Sequence, residues 1–254
     1  MKTTIIDINQ NNISEYPATC FLNPKNEGYQ IKLNWLKKRF SEGLKIKVLY
    51  DEKDKKIHGF IEYVPGEYAW RSVEVKNYMF IHCVWINPNS YKNKGNGSVL
   101  IKECINDAEG KCGIAVVTSD GPFMASKDIF LKNDFKIIEE DGKHQLLVKP
   151  LKKGHLPKFK DYKKQLQRYN GLHILYSSQC PWVARFINEL DKNLVSKSKI
   201  EVTEFKTAKQ AQDAPSIYSV FNLIYNGKLL ADHYISNTRF LNIIKKEIKV
   251  DGKC

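Results

Sequence analysis

No apolar run in this 254-residue chain approaches the roughly 20 residues that a membrane-spanning helix needs. The opening stretch MKTTIIDINQNN lacks the long apolar core and small-residue cleavage site of a secretory signal, so a cytoplasmic protein is expected. There is no C-x-x-C pair among the six cysteines (Cys20, Cys83, Cys104, Cys112, Cys180, Cys254) and no metal-ligand spacing, which points to reduced thiols and no metal. Acidic residues are outnumbered 28 to 41, for a net charge of +13. The lysines are scattered and no aromatic-plus-basic motif accompanies them, so nucleic acid is not the expected partner. A lysine-rich surface that attracts an anionic cofactor is the simpler reading. A hydrophobic content of 42% and a charged content of 27% describe a globular chain able to bury one large core or two small ones.

What is present is concentrated between Tyr78 and Ala108. Met79 to Ile86 is an apolar, β-branched run that predicts a strand buried on both faces. Asn87 to Asn93 is turn-rich, and Lys94-Gly95-Asn96-Gly97-Ser98 leads into a run with Val99, Leu100, Ile101, Cys104, Ile105 and Ala108 at helical spacing. Strand, glycine loop and helix together can hold a phosphate. The first helical turn offers unpaired N–H groups, the helix dipole favours negative charge, and Lys92 and Lys94 add to both.

These residues resemble the acetyl-CoA motif of the GNAT acetyltransferases, where Arg or Gln, two residues, Gly, one residue and Gly or Ala follow a strand end. Here Ile86-Asn87-Pro88 leads to Lys92-Asn93-Lys94-Gly95-Asn96-Gly97, with Lys in place of Arg or Gln. The resemblance implies that N–H groups from Asn93 to Ser98 grip the pyrophosphate of coenzyme A. It also implies that Val84, Trp85 and Ile86 pair with the pantetheine amides as an added strand would. The element order agrees with that family over about 150 residues, the size of one domain. A first strand at Thr3–Ile8 is followed by a broken loop to Pro24, expected near the acceptor mouth, and a helix at Tyr29–Phe40. Strands at Leu44–Tyr50, His58–Val64 and Ala69–Val75 lead to the central strand, and Gly113–Thr118, a helix at Phe123–Asn133 and a hairpin at Phe135–Lys149 complete the domain. Phe130 stands where many relatives carry the tyrosine that protonates the departing thiolate, so no family-type acid is assigned.

A protonated amine must lose a proton before it attacks a thioester. His82 lies in the central strand, and strict alternation would put it on the face of Val84 and Ile86, which makes it the candidate base. Glu62, Glu67 and Glu74 on neighbouring strands are weaker candidates, because acidic side chains there usually face solvent.

From Lys149 the composition shifts to prolines, glycine and lysines, which reads as a linker into a short basic helix, Asp161–Tyr169. Beyond it, strands at Leu172–Tyr176, Ile200–Phe205, Phe221–Tyr225 and Lys228–Tyr234 alternate with helices at Val183–Leu190, Ala208–Asp213 and Asn237–Ile248. That order resembles the thioredoxin fold, with Cys180-Pro181-Trp182 at a helix N-terminus where the dipole would lower a thiol pKa. Val183 replaces the second cysteine, so dithiol cycling is not expected. The combination resembles the YoaP-type GNAT proteins.

The expected architecture is α/β (α+β): a GNAT mixed-sheet domain over residues 1–150, a basic linker over 151–170 and a thioredoxin-like domain over 171–254. The expected function is direct acetyl transfer from acetyl-CoA to an amine of a small molecule or peptide, with the oxyanion held by N–H groups of the central strand. The competing expectation is a CoA- or thiol-binding or redox-sensing protein that uses Cys180.

Overall fold

The computed structural model describes residues 3–18, 20–121, 123–191, 195 and 199–247. Ile248 and Cys254 lie outside them. The first half of the chain forms a seven-stranded sheet from β1 (Thr3–Ile8), β2 (Lys45–Asp51), β3 (Lys56–Pro65), β5 (Tyr78–Ile86), β6 (Gly113–Ser119), β7 (Lys136–Asp141) and β8 (His144–Pro150), in the order β1-β2-β3-β5-β6-β8-β7. Its neighbours are antiparallel except β5 and β6, which need a crossover and get it from α2 (Asn96–Asp107).

Each face is covered by helix. On one side lies α1 (Glu27–Arg39), capped by the Asn26 side chain on the Gly28 N–H, with Tyr29, Leu33, Trp35 and Leu36 turned inward. On the other, α2 buries Leu100, Ile101 and Cys104 beside α3 (Lys127–Leu131). α3 is shorter than the helix expected at 123–133, because Ser126 caps it and starts it four residues late. The strand expected at 69–75 is also short: only Val73–Glu74 (β4) is extended, and it leaves the main sheet to pair with Lys158–Phe159 (β9). The linker is thereby stitched back onto the first half, and α4 (Tyr162–Leu166) follows.

The second half builds a four-stranded sheet of β10 (Leu172–Ser177), β11 (Glu201–Phe205), β12 (Phe221–Tyr225) and β13 (Lys228–Ala231), ordered β11-β10-β12-β13. β10 and β11 are parallel, and the other pairs are antiparallel. α5 (Pro181–Asn188) and α7 (Asn237–Glu247) cover one face through Val183, Phe186, Phe240 and Ile244. The opposite face, with α6 (Ala208–Gln212), sends Leu175, Ile224, Phe205, Ala208 and Ala211 into the core built by Trp35, Trp70 and Phe80 of the first half. One apolar core therefore runs through both halves. Gly28 marks how closely they meet: a Cβ there would lie 2.3 Å from the Pro181 carbonyl oxygen. Lys143, just before β8, and Asp232, just after β13, pair at 2.6 Å.

Candidate active site

β5 and β6 pair only from Tyr78 to Ile81, opposite Gly113 to Val116. Beyond Ile81 the two strands part, while β5 stays paired with β3 as far as Ile86. One edge of Cys83–Ile86 therefore carries N–H and C=O groups with no strand beside them, and such groups seek a partner. A chamber of about 1020 Å³ opens at this point, lined by Val84, Trp85, Ile86, Val116, Val117, Phe130 and the glycine loop.

The loop forms one mouth. Gly95 precedes α2 at φ +78°, a conformation that favours glycine, and no side chain caps the helix. The leading N–H groups of α2, from Asn96 to Ser98, therefore keep their donors free for an anion. Asn96 ties its side chain back to the Tyr91 carbonyl at 2.8 Å. Gly97 matters for packing instead. A Cβ there would meet Ile129 Cδ1 at 2.3 Å, so its smallness lets α3 close over the helix start. Lys92 and Lys94 are exposed at the rim. Every residue from Asn93 to Ser98 except Lys94 lines the chamber. Tyr91 stacks on His58 at 3.8 Å and donates to Asp51 at 2.7 Å, which fixes the approach to the loop.

At the far end the walls become polar. Glu62, only 2% exposed, receives Lys32 Nζ at 2.5 Å and Gln179 Nε2 at 3.1 Å. Burial would raise its carboxyl, but the Lys32 ammonium against it outweighs burial and holds it well below the usual carboxylate range. The solvated edge charge expected of Glu62 is instead a buried carboxylate. Glu67 and Glu74 do not line the chamber.

His82 is in the chamber wall but not where alternation puts it. Glu62 faces Cys83 and Tyr63 faces Ile81, so His82 is an extra residue in β5, a β-bulge. The bulge turns His82 toward Trp35 and Phe80 on the α1 side, while Val84 and Ile86 face the α2 side. Its Nε2 accepts the Trp70 N–H at 2.9 Å, so the ring is neutral with its proton on Nδ1. Nδ1 stands 3.2 Å from Glu62 Oε1, off the hydrogen-bond line. Burial pushes the imidazole down to about 4 against the pull of Glu62. With one nitrogen engaged and the other protonated, His82 has no free lone pair for a substrate proton.

Cys180 also differs from expectation. It starts α5 with Trp182 and Val183 N–H groups directed at its sulfur, yet burial outweighs them and raises the thiol pKa. Cys83 and Cys20 share the chamber, and burial lifts the Cys83 thiol to about 12. All three are protonated thiols near neutral pH, so the thiol-handling expectation gains nothing. The loop containing Cys20 does reach the chamber, as expected.

Among the lining residues that the sequence does not single out are Lys32, Arg71, Gln179 and Tyr218, which gather at the polar end. Lys32 carried a signal, because it sits on the apolar stripe of Tyr29, Leu33 and Leu36, where a lysine is out of place. Arg71 follows the buried Trp70 in a segment whose departure from the main sheet nothing announced. Gln179 and Tyr218 come from the second half of the chain, and only tertiary packing brings them here.

Residues 11–128 match the model of the Acetyltransferase (GNAT) family, and residues 199–242 match the model described as YoaP-like. The chain is 28% identical over 251 residues to the uncharacterized N-acetyltransferase YoaP of Bacillus subtilis (strain 168), covering 94% of this chain and 97% of that protein. Among solved structures, the PaiA N-acetyltransferase from Thermoplasma acidophilum in complex with coenzyme A aligns at 16% identity with a TM-score of 0.43, over 59% of this chain and 99% of that one. A GNAT family acetyltransferase from Brucella melitensis in complex with acetyl-CoA aligns at 15% identity with a TM-score of 0.38, over 61% and 94%. No helix among the described residues is long and apolar enough to cross a membrane.

Proposed function

We propose, taking as premise that the first half of the chain is an acetyltransferase domain of the GNAT family, that the protein moves the acetyl group of acetyl-CoA directly to an amine of a small molecule or peptide. The observation that carries this reading is the parting of β5 from β6 beside a helix start with no side-chain cap. The pyrophosphate lies against the N–H groups from Asn93 to Ser98, with Lys92 and Lys94 at the rim. The pantetheine pairs with the open edge of Val84, Trp85 and Ile86. The thioester then lies toward the bulge, where β5 N–H groups stabilise the oxyanion.

His82 acts by position rather than as the base: its Nε2 holds the Trp70 N–H beside Arg71, and the acceptor amine reacts in its neutral form. Tyr218 is the proton donor available to the leaving thiolate in place of Phe130. It lines the chamber, and its hydroxyl has only a 3.5 Å contact to the Phe123 carbonyl. We read residues 1–150 as the transferase domain, 151–170 as the linker and 171–254 as a thioredoxin-like domain, a reading supported by the β11-β10-β12-β13 order. That domain serves as a wall of the acceptor end through Gln179, Cys180, Trp182 and Tyr218.

Calorimetric titration with acetyl-CoA tests this, followed by CoA release on addition of candidate amines. Gly97→Glu puts a carboxylate at the helix start and is expected to weaken acetyl-CoA binding at least about tenfold. Unchanged affinity in that variant would falsify the cofactor assignment.

A further inference from the structure

The acceptor end holds more positive than negative charge, and the excess is buried. Lys32, Glu62 and Arg71 all line it, at 1%, 2% and 3% exposure. Lys32 matches Glu62 at 2.5 Å. Arg71 has no such match. Its hydrogen bonds run to the Trp70 carbonyl at 2.6 Å, Gln179 Oε1 at 2.6 Å and the His82 carbonyl at 3.3 Å, three uncharged oxygens. No carboxylate among the described residues pairs with it within ion-pair distance. The His82 ring contributes no charge, because Nε2 accepts a hydrogen bond. An arginine stays ionised even here, and a buried charge without a counter-charge is costly.

The donors of Arg71 show where a counter-charge fits. Nη1 spends its two hydrogens on Trp70 and Gln179, and Nη2 spends one on His82. The Nε–H and the second Nη2–H have no protein acceptor among the described residues. Two such donors can bind the oxygens of a carboxylate. The Tyr218 ring lies 4.5 Å from the guanidinium carbon and covers its face, so the edge is what a ligand meets. A purely structural tie to Gln179 accounts for Nη1. It gives no reason for a full charge, which a neutral amide donor would avoid.

We propose that Arg71 receives a carboxylate of the acceptor, so that the substrates are amines that also carry a carboxylate, free amino acids being the simplest. This deepens the transferase reading and rests on it.

The test pairs common L-amino acids with their carboxamides as acceptors at saturating acetyl-CoA, measuring CoA release. Acids are expected to exceed their amides in kcat/KM by about tenfold or more. Arg71→Gln should erase that preference by raising KM for the acid about 10- to 100-fold while acetyl-CoA affinity holds, and Arg71→Lys should restore part of it. Equal use of acids and amides overturns the proposal, as does no turnover of any acid by protein that binds acetyl-CoA, or an equal loss for both acceptor types in Arg71→Gln. If the variants do not fold, the wild-type CoA complex decides by calorimetry with N-acetyl amino acids and N-acetyl amino acid amides. Binding of the acids alone supports the proposal; equal binding, or none of the acids, overturns it. Failure to bind acetyl-CoA would instead sink the transferase reading itself.

Discussion

Gln179 donates its side-chain amide to the Glu62 carboxylate at 3.1 Å, across 117 residues of sequence, and its carbonyl oxygen accepts from Arg71 at 2.6 Å. One neutral side chain from the second half thus bridges the buried anion and the buried cation of the first. Gln179→Leu removes both bonds and leaves two charged groups short of partners. The expected cost is roughly 1–3 kcal/mol of stability in urea unfolding, since buried groups lose the full value of an unmade bond. Acetyl-CoA affinity, set at the other end of the chamber, should not change. A variant as stable as wild type would show that the bridge is idle.

The pH dependence of turnover separates two bases. Glu62 is ionised and His82 neutral throughout the range from about 5 to 8, so neither titrates there. The rate at low acceptor concentration should therefore rise with pH as a single step at the pKa of the acceptor amine, and should move when the acceptor is changed. An acceptor-independent step near 6.5 would return His82 to the role of base.

Stability in acid follows from the same histidine. Its unfolded pKa is near 6.5 and its folded value about 4, so between these the unfolded chain binds the extra proton. Stability therefore falls as pH drops through this window, by on the order of 3 kcal/mol for the fully buried ring. Glu62, whose folded pKa is depressed, adds a further loss below about 4.3. Urea midpoints taken at pH 7 and pH 4.5 should differ less in His82→Gln than in wild type, because glutamine does not titrate.

Tyr218→Phe tests the proton donor. If its hydroxyl protonates the departing thiolate, kcat falls about 10²-fold or more while acetyl-CoA binding stays. A small effect would mean that the thiolate leaves without help, as its modest basicity allows.

The backbone of the site was legible in the sequence because it depends on local rules. The β-branched run of β5, the Pro88 break, the glycines and the amphipathic α2 each state their conformation within a few residues. Strict alternation misplaces His82 because it assumes unbroken pleating, and a one-residue bulge reverses every side chain beyond it. The burial of Glu62 is not legible in its own strand, because its partners are Lys32 from α1 and Gln179 from the far half, neither of them near in sequence. The helix dipole alone would lower the Cys180 thiol, whereas burial dominates it and raises it. The shift in composition after Lys149 is visible in the sequence, but the shared core is not, since apolar periodicity reports that a face is buried and not against what.

The free edge of Cys83–Ile86 has a cost when no ligand covers it. It is a length of sheet template inside the molecule, flanked by Val84, Trp85 and Ile86, and such edges recruit strands from other chains. A pantetheine arm laid along that edge would therefore also act as a guard against self-association, so purified protein should stay dispersed longer at high concentration when it is stored with coenzyme A.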